Sequence, residues 1–306
     1  MRTRLVLSVA VAAAATLALG ACTSASENPS GGSTATGTGS PAASFDPTTI
    51  AKDPTIAAMV PAAVAADGKL TVGSDLTYAP AEFVGTDGKT PTGYDVDLST
   101  AIAHLMGLQP DIQSSTFDAI IPSIGTKYEI GVSSFTVTAE RLKAVNMVSY
   151  FNAGSQFAVQ KGNPDKVDLS NLCGLTIGVQ TGTTQQDELT ALNAKCGDKK
   201  ITILTYDKQA DVTTNLVGGK VQAMYADSPV TAYAVGQTEG KLETLGDIRD
   251  AAPEAVVVAK NDDAMTNAVQ AALQKLMDDG TLVKILSAWG NASGALTTAE
   301  INPNVG

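Results

Sequence analysis

Short β-rich segments alternate with amphipathic helical patterns along most of this chain, beginning near Lys69. The predicted strands are residues 70–75, 111–114, 129–135, 175–179, 201–205, 221–225 and 255–259. Alternation of this kind is typical of α/β proteins in which helices cover both faces of a sheet. The series restarts at Leu175 after three strands and their helices, which indicates two similar α/β lobes.

The chain has 306 residues, of which 44% are hydrophobic, so it is long enough for two domains. The last two helical patterns, residues 262–279 and 282–289, have no strands of their own, and we expect them to pack back on the first lobe. The predicted division is a helical lead-in over 46–68, a first lobe over 69–153 and 255–306, and a second lobe over 154–254.

The first 21 residues have the features of an export signal. Arg2 and Arg4 precede an apolar run over residues 5–19, which is too short for a stable membrane span. The run ends in the tetrapeptide LGAC, which resembles the bacterial lipobox and ends at Cys22. We therefore expect Cys22 to be the lipidated first residue of the mature protein; the alternative is an ordinary signal peptide followed by a chance cysteine.

Residues 22–45 are rich in Ser, Thr, Gly and Pro, a composition that buries little and is typical of a flexible linker. A linker in this position would connect a lipid anchor to a folded domain. The predicted location is therefore outside the cytoplasm, with the protein anchored by lipid to the outer face of the cell membrane.

The charge and the histidine content exclude several function classes. Lys and Arg number 20 against 31 Asp and Glu, giving a net charge of −11, so the chain lacks the basic surface that nucleic acid binding requires. The single histidine, His104, leaves little material for a zinc site or a His-assisted nucleophile. It lies in a predicted helix and is interpreted as a structural or surface residue. We predict no metal and no cofactor.

Two cysteines follow the predicted lipidation site, Cys173 and Cys196. Disulfides persist in compartments outside the cytosol, and this pair would close a loop of moderate length. We expect a disulfide between them; two free thiols or a metal pair are the alternatives.

Six segments resemble the motifs of the polar amino-acid family of solute-binding proteins of ABC importers, in the order and spacing of that family. They are GSDLTYAPAEF (73–83), GYDVDLSTAI (93–102), TFDAIIPSI (116–124), SSFTVTAER (133–141), IGVQTGTTQ (177–185) and YADSPVTAY (225–233). The resemblance spans about residues 69–290. It implies a type II periplasmic-binding-protein-like fold, with a ligand cleft between two lobes joined by two crossover segments. It also implies a monomer that captures an L-amino acid and delivers it to ABC permease subunits.

Binding a zwitterion out of water requires a partner for each of its charges. Arg141 is the candidate for the ligand carboxylate, because a guanidinium can hold two oxygens at once. The resemblance adds Thr184, at a helix N-terminus that favours anions. It assigns the ligand ammonium to Asp227, with Thr136 and the Ser134 carbonyl. Without the resemblance, Arg141 would be interpreted as a solvated helix residue and Asp227 as a helix cap.

Four further residues match positions around the ligand side chain. Tyr78 and Phe117 are expected to form apolar walls, and Asp75 and Gln180 to contact polar groups. Because Asp75 would repel an acidic side chain and accept hydrogen bonds from an amide or a cation, Gln, His, Arg, Lys and ornithine are favoured over Glu and Asp.

Two alternatives use the same fold. A cyclohexadienyl-dehydratase-like enzyme would need an acid beside a carboxylate-binding arginine, for which Glu82 or Glu254 could serve. The position of Asp227 favours an ammonium ligand, so we predict a protein that is not an enzyme. An amino-acid sensor or adhesion lipoprotein is the second alternative.

Overall fold

The structure is a computed structural model that describes residues 45–305. The predicted signal peptide, Cys22 and nearly all of the predicted linker lie outside these residues. None of the helices within 45–305 combines the length and the apolar character that crossing a membrane requires.

The predicted helical lead-in forms three short elements: a 3-10 turn at Pro47–Thr49, α1 at Pro54–Ala57 and α2 at Ala62–Asp67. A proline begins each of the first two, and the preceding aspartate, Asp46 or Asp53, accepts a hydrogen bond from a backbone amide of the turn. Aspartate before an N-terminal proline is a strong start signal, because it satisfies a donor that would otherwise be unpaired.

The next part of the chain contains a three-stranded hairpin sheet and the first β/α series. Its elements are β1 (Lys69–Ser74), β2 (Thr77–Tyr78), β3 (Glu82–Val84), β4 (Pro91–Thr92), α3 (Tyr94–Met106), β5 (Gln109–Ser114), α4 (Phe117–Ser123), β6 (Ile130–Thr136) and α5 (Arg141–Ala144). Of these, β1, α3, β5, α4 and β6 agree with the sequence prediction, whereas the hairpin strands β2, β3 and β4 were not predicted. The helix α5 is only one turn long because the chain enters a new strand at Val145.

The remaining elements form the second series and the return. They are β7 (Val145–Gln160), β8 (Thr176–Gln180), α6 (Thr184–Asn193), β9 (Thr202–Tyr206), α7 (Gln209–Val217), β10 (Ala223–Asp227), α8 (Ser228–Gln237), β11 (Leu242–Ala259), α9 (Asp263–Asp278), α10 (Thr281–Ala288) and a 3-10 turn at Ala292–Gly294.

Within residues 45–305, eight strands form one sheet in the order β5-β1-β6-β11-β7-β10-β8-β9. The two long strands, β7 and β11, run antiparallel through its centre. β1, β5 and β6 lie on one side of this pair, and β8, β9 and β10 lie on the other. The register of β11 against β7 shifts between Leu245 and Arg249 and again before Ala252, so the central pair is irregular where it passes from one side to the other. This is the two-lobed α/β architecture that the sequence predicted.

The two C-terminal helices pack against the lobe that contains β1. Leu273 of α9 and Ile285 of α10 are completely buried in the same hydrophobic cluster as Leu70 and Val72 of β1. The apolar residues of α9 recur every three or four positions, so one face of the helix is directed at the sheet. The residues at which one lobe ends and the other begins stay a prediction.

The second lobe has its own core, in which Phe157 stacks on Tyr225 with ring centroids 3.9 Å apart. A disulfide joins Cys173 to Cys196, and Cys196 packs against this core. The predicted disulfide is therefore present, and it connects the segment before β8 to the segment after α6.

Candidate functional site

A cavity lies where the carboxyl ends of the strands from both lobes meet, with about 220 Å³ of space between atoms, part of which is open to solvent. Its lining residues are Tyr78, Phe117, Ser134, Thr136, Arg141, Gln180, Thr183, Thr184, Gln185 and Asp227. Eight of the nine residues predicted to bind ligand are among them. The ninth, Asp75, lies behind Gln180 and contacts its amide.

The fold explains why residues so distant in sequence meet here. Ser134 and Thr136 lie at the end of β6, Gln180 ends β8 and Asp227 ends β10. In open α/β sheets, the crevice beyond the carboxyl ends of the strands is the usual ligand site. Phe117 begins the helix α4, which also starts at this edge.

Arg141 is fixed from two sides. Its Nη1 donates to the Thr136 carbonyl oxygen at 2.8 Å, and its Nη2 donates to the Gly182 carbonyl oxygen at 3.2 Å. The guanidinium lies 5.2 Å from the centre of the Phe117 ring, within the range of a cation–π interaction. Burial lowers the pKa of Arg141, and the negative charge of Asp227 opposes that effect. Arginine retains its charge at any physiological pH, so a positive group faces the cavity.

Asp227 is the buried anion of the site and is held by two donors. Tyr78 Oη donates to Oδ2 at 2.7 Å, and Gln185 Nε2 donates to Oδ1 at 2.8 Å. Burial raises the pKa of Asp227, whereas these two hydrogen bonds and the nearby Arg141 lower it. Gln185 is itself oriented by Ser155, whose Oγ accepts a hydrogen bond from the same Nε2 at 2.6 Å.

Asp75 and Gln180 form a second buried polar pair. Gln180 Nε2 donates to Asp75 Oδ2 and to the Asp207 carbonyl oxygen, and Thr77 Oγ1 donates to Asp75 Oδ1 at 2.8 Å. Burial raises the pKa of Asp75 to about 6, because these hydrogen bonds only partly offset the loss of water. Asp75 therefore lies directly behind Gln180, which lines the cavity, so a polar ligand side chain could approach this carboxyl through Gln180.

Three of these hydrogen bonds cross between the lobes. They join Tyr78 to Asp227, Arg141 to Gly182 and Gln180 to Asp75. In each pair, one residue belongs to the part of the chain around β1 and β6 and the other to the part around β8 and β10. The lobes are thus closed around the cavity.

The N-terminus of α6 is directed at the same space. Thr183 is the N-cap and its Oγ1 accepts a hydrogen bond from the Gln186 amide at 3.3 Å, while Thr184 and Gln185 begin the helix and line the cavity. Gly182 has a φ of +79°, and a side chain there would press on Asp118 of the opposite lobe. The partial positive charge of a helix N-terminus favours an anionic ligand group.

A further group of buried acids lies behind β6. Ser133 Oγ donates to Glu82 Oε1 at 2.6 Å, and Asp95 accepts from Tyr150 Oη at 2.5 Å and from the Ser134 amide at 2.8 Å. Burial, followed by the charge of Asp95, raises the pKa of Glu82 well above its ordinary value, and burial raises that of Asp95 to about 6. Glu82 does not line the cavity. It supports the end of β6 instead of facing a ligand as an acid.

Sequence reasoning missed Thr183 and Gln185 as lining residues. The available signal was their position: both lie in the segment IGVQTGTTQ, at the start of a helix already predicted to face the ligand. Among residues 45–305, no group of three His, Cys, Asp or Glu side chains is placed to hold a metal ion.

The family of bacterial extracellular solute-binding proteins, family 3, matches residues 70–292. The match covers well over half of the chain, and the protein belongs to this family.

Individual relatives agree with this assignment. The chain is 38% identical over 255 residues to the arginine-binding protein ArgT of Corynebacterium glutamicum, covering 81% of this chain and 83% of that protein. Its fold is similar to that of an ancestral arginine-binding protein bound to arginine, with a TM-score of 0.69 and 29% identity. The similarity covers 73% of this chain and 98% of that one. It is also similar to the ancestral amino acid-binding protein AncCDT-1, a precursor of cyclohexadienyl dehydratase, with a TM-score of 0.67 and 30% identity. That similarity covers 74% of this chain and 97% of the other.

Proposed function

We propose that this protein captures one L-amino acid in the cavity between its lobes and delivers it to the permease of an ABC importer. The observation that carries the proposal is the presence of Arg141 and Asp227 at one closed cavity. The Arg141 guanidinium and the N-terminus of α6 would bind the ligand carboxylate. Asp227, with Thr136 and the Ser134 carbonyl, would bind the ligand ammonium. Each ligand charge then meets an opposite charge, which offsets the cost of removing it from water.

The ligand side chain would extend between Tyr78 and Phe117 toward Gln180 and Asp75. A cationic side chain suits the part of the cavity near Gln180 and Asp75 best, because its positive charge would favour the ionised form of Asp75. The cationic group could also donate to Asp75 in place of Gln180, which donates to it in this structure. L-Arginine is the first candidate, and the arginine-binding relatives support this choice. Lysine, ornithine, histidine and glutamine follow, whereas glutamate and aspartate would be repelled.

The ligand would be bound without being chemically changed. A dehydratase of the cyclohexadienyl type would need an acid at the cavity beside Arg141, and Asp227 is instead held by Tyr78 and Gln185 in a position suited to an ammonium group. Incubation with prephenate should therefore yield no product. Formation of an aromatic acid would favour the enzymatic alternative.

We also propose that the protein is exported and tethered by a lipid on Cys22, with the segment over 22–45 as a flexible tether. A Cys22→Ser variant should leave the membrane fraction and appear in the soluble or secreted fraction. Mass spectrometry that finds an unprocessed, unmodified Cys22 in membrane-associated protein would contradict the anchor without affecting the binding proposal.

A thermal-shift screen of the ligand-stripped protein against the twenty amino acids, ornithine and citrulline tests the ligand. A ligand at one hundred times its dissociation constant stabilises the folded state by about 2.7 kcal/mol. At this size, the melting temperature should rise by roughly 2–4 °C per kcal/mol. A rise with L-arginine that is lost in Arg141→Ala and retained in Arg249→Ala is expected, because Arg249 pairs with Glu188 outside the cavity. No rise with any amino acid would refute the proposal.

A further inference from the structure

Glu254 lies beside the proposed amino-acid site although it does not line the cavity. On the antiparallel pair of β11 and β6 it is directly opposite Thr136, which does line it. Directly opposite residues of an antiparallel pair place their side chains on the same face, with Cβ atoms about 5 Å apart. The Glu254 carboxyl is therefore on the face of the sheet that borders the cavity, next to the residues proposed to receive the ligand ammonium.

The Glu254 side chain is 1% exposed, and neither of its carboxyl oxygens has a hydrogen-bond partner among the described residues. The other two acids nearby differ in this respect. Asp227 accepts from Tyr78 and Gln185, and Asp95 accepts from Tyr150 and the Ser134 amide. A buried carboxylate without donors is strongly disfavoured, whereas the neutral acid is not. Glu254 therefore differs from Asp227 and Asp95, because their carboxylates accept hydrogen bonds and its own carboxyl does not.

The charges of two neighbouring acids add to the effect of burial on Glu254: Asp227 on β10 and Asp95 on α3 oppose its ionisation. The nearby Ser134 hydroxyl on β6, which donates its proton to Asp95, and Arg141 on α5 act in the opposite direction. The surrounding phenols of Tyr78, Tyr94 and Tyr150 are uncharged at neutral pH, since burial raises the pKa of each. Burial first, and then the charges of Asp227 and Asp95, raise the pKa of Glu254 well above its ordinary value.

We propose that Glu254 adjusts the charge of the amino-acid site: it carries a proton when the site is free and releases that proton to solvent when a basic amino acid binds. This inference rests on the proposed function. The ligand ammonium would partly neutralise Asp227, which is the largest charge opposing ionisation of Glu254, and would itself attract the Glu254 carboxylate. The O–H bond of Glu254 breaks, the electron pair stays on the carboxylate and the proton passes to buffer. The protein would thus gain one negative charge for each cationic ligand bound.

Two consequences follow for binding. Because a proton is released, the affinity for a basic amino acid should rise as the pH increases. The ligand-free protein also avoids an additional uncompensated buried anion, which keeps the empty site stable. Glu254 would therefore act through charge without having to contact the ligand.

Calorimetric titration of ligand-stripped full-length protein with L-arginine at pH 7, in phosphate and in Tris, measures the number of protons released. Wild type should release a substantial fraction of one proton per ligand. Glu254→Gln should release fewer, and its dissociation constant should vary less between pH 6 and pH 8. Glu243→Gln is the matched control, since Glu243 lies on the same strand but forms an ion pair with Lys161 at 2.9 Å away from the cavity. It should behave as wild type.

The infrared band of a protonated carboxyl provides a second readout. L-Arginine should weaken this band more in wild type than in Glu254→Gln. Because Asp75 could also contribute a proton, the difference between the two proteins is the quantity that isolates Glu254. If wild type binds arginine without releasing a proton, or if Glu254→Gln releases as many protons as wild type, the inference is wrong and the proposed function stands. If the folded wild type binds no amino acid, the proposed function itself fails. Should Glu254→Gln not fold, Asp75→Asn takes its place as the comparison: it should release a proton per arginine bound as wild type does, and release of none would overturn the inference.

Discussion

Asp75 should reduce the stability of the ligand-free protein at neutral pH, and replacing it by asparagine should reveal this cost. Asp75 is only 2% exposed, and burial raises its pKa from 3.8 to about 6. A shift of about two units corresponds to about 3 kcal/mol, since each unit is worth about 1.4 kcal/mol. The folded-state pKa of Asp75 lies above the unfolded value, so the folded protein favours the protonated carboxyl. The contribution of that protonated form to stability is fully present below pH 3.8 and is lost as the pH rises through about 6.

Asparagine at position 75 removes the charge but also changes the hydrogen bonds. Thr77 and Gln180 both donate to the carboxylate, and an amide can accept from both only if one of them rearranges. That loss costs about 1 kcal/mol, so the net gain of Asp75→Asn at pH 7.5 should be about 2 kcal/mol. The melting temperature should rise by about 4–8 °C.

Urea unfolding at pH 7.5 and at pH 4, with thermal melts at both, measures this effect. The gain should be present at pH 7.5 and disappear at pH 4, where the wild-type carboxyl is protonated in the folded state. Asp165→Asn, at an exposed carboxylate, serves as the control and should change stability by less than about 0.5 kcal/mol. The reasoning is refuted if Asp75→Asn is destabilised at pH 7.5, or if its effect is equal at the two pH values. The same variant should bind a basic amino acid more weakly, because its charged partner is lost.

Three further outcomes are expected. Replacing Cys173 and Cys196 by serine should lower stability by about 3 kcal/mol, from the entropy of the 23-residue separation they bridge, and an unchanged melting temperature would argue against the disulfide. Leu273→Ala, in the core shared by α9 and β1, should cost about 2–5 kcal/mol by urea unfolding; a cost below 1 kcal/mol would contradict that packing. Tyr78→Phe removes a donor from buried Asp227 and should weaken binding of the identified ligand by about 10- to 150-fold in calorimetry, a loss of about 1.5–3 kcal/mol, whereas unaltered affinity would exclude this hydrogen bond from the site.

Regular periodicity made most of the fold predictable. The strand β1, the helix α3 and the two C-terminal helices were predicted to within about two residues, because their apolar spacing is regular and their ends have clear capping or turn residues. Of the two long central strands, only the end of β11 was predicted, over residues 255–259. β7 contains Asn152 and Gly154, which are typical of turns, and the first half of β11 carries several charged residues. Both strands remain extended because they pair with each other. This pairing joins residues far apart in the chain, so the local sequence pattern does not reveal it.

The candidate site was predictable where a residue matched a family motif. Arg141 and Asp227 were identified in this way, and the structure brings them to one cavity. The role of Gln185 as a donor to Asp227 was not predicted, because it depends on the N-terminus of α6 facing the end of β10. The unpartnered carboxyl of Glu254 was equally hidden, since only the pairing of β11 with β6 places it beside Thr136.

Calorimetric titration of the ligand-stripped protein with L-arginine tests the central claim most directly, when wild type is compared with Arg141→Ala and Asp227→Ala. Removing one partner of a buried charge interaction commonly costs about 2–5 kcal/mol, so each variant should bind from tens to thousands of times more weakly than wild type. The melting temperatures of the ligand-free variants show whether they are folded. Saturable binding of one arginine per protein that is weakened in both variants is the predicted result. Arginine and the other amino acids failing to bind wild type, or binding folded Arg141→Ala as tightly as wild type, would contradict the account.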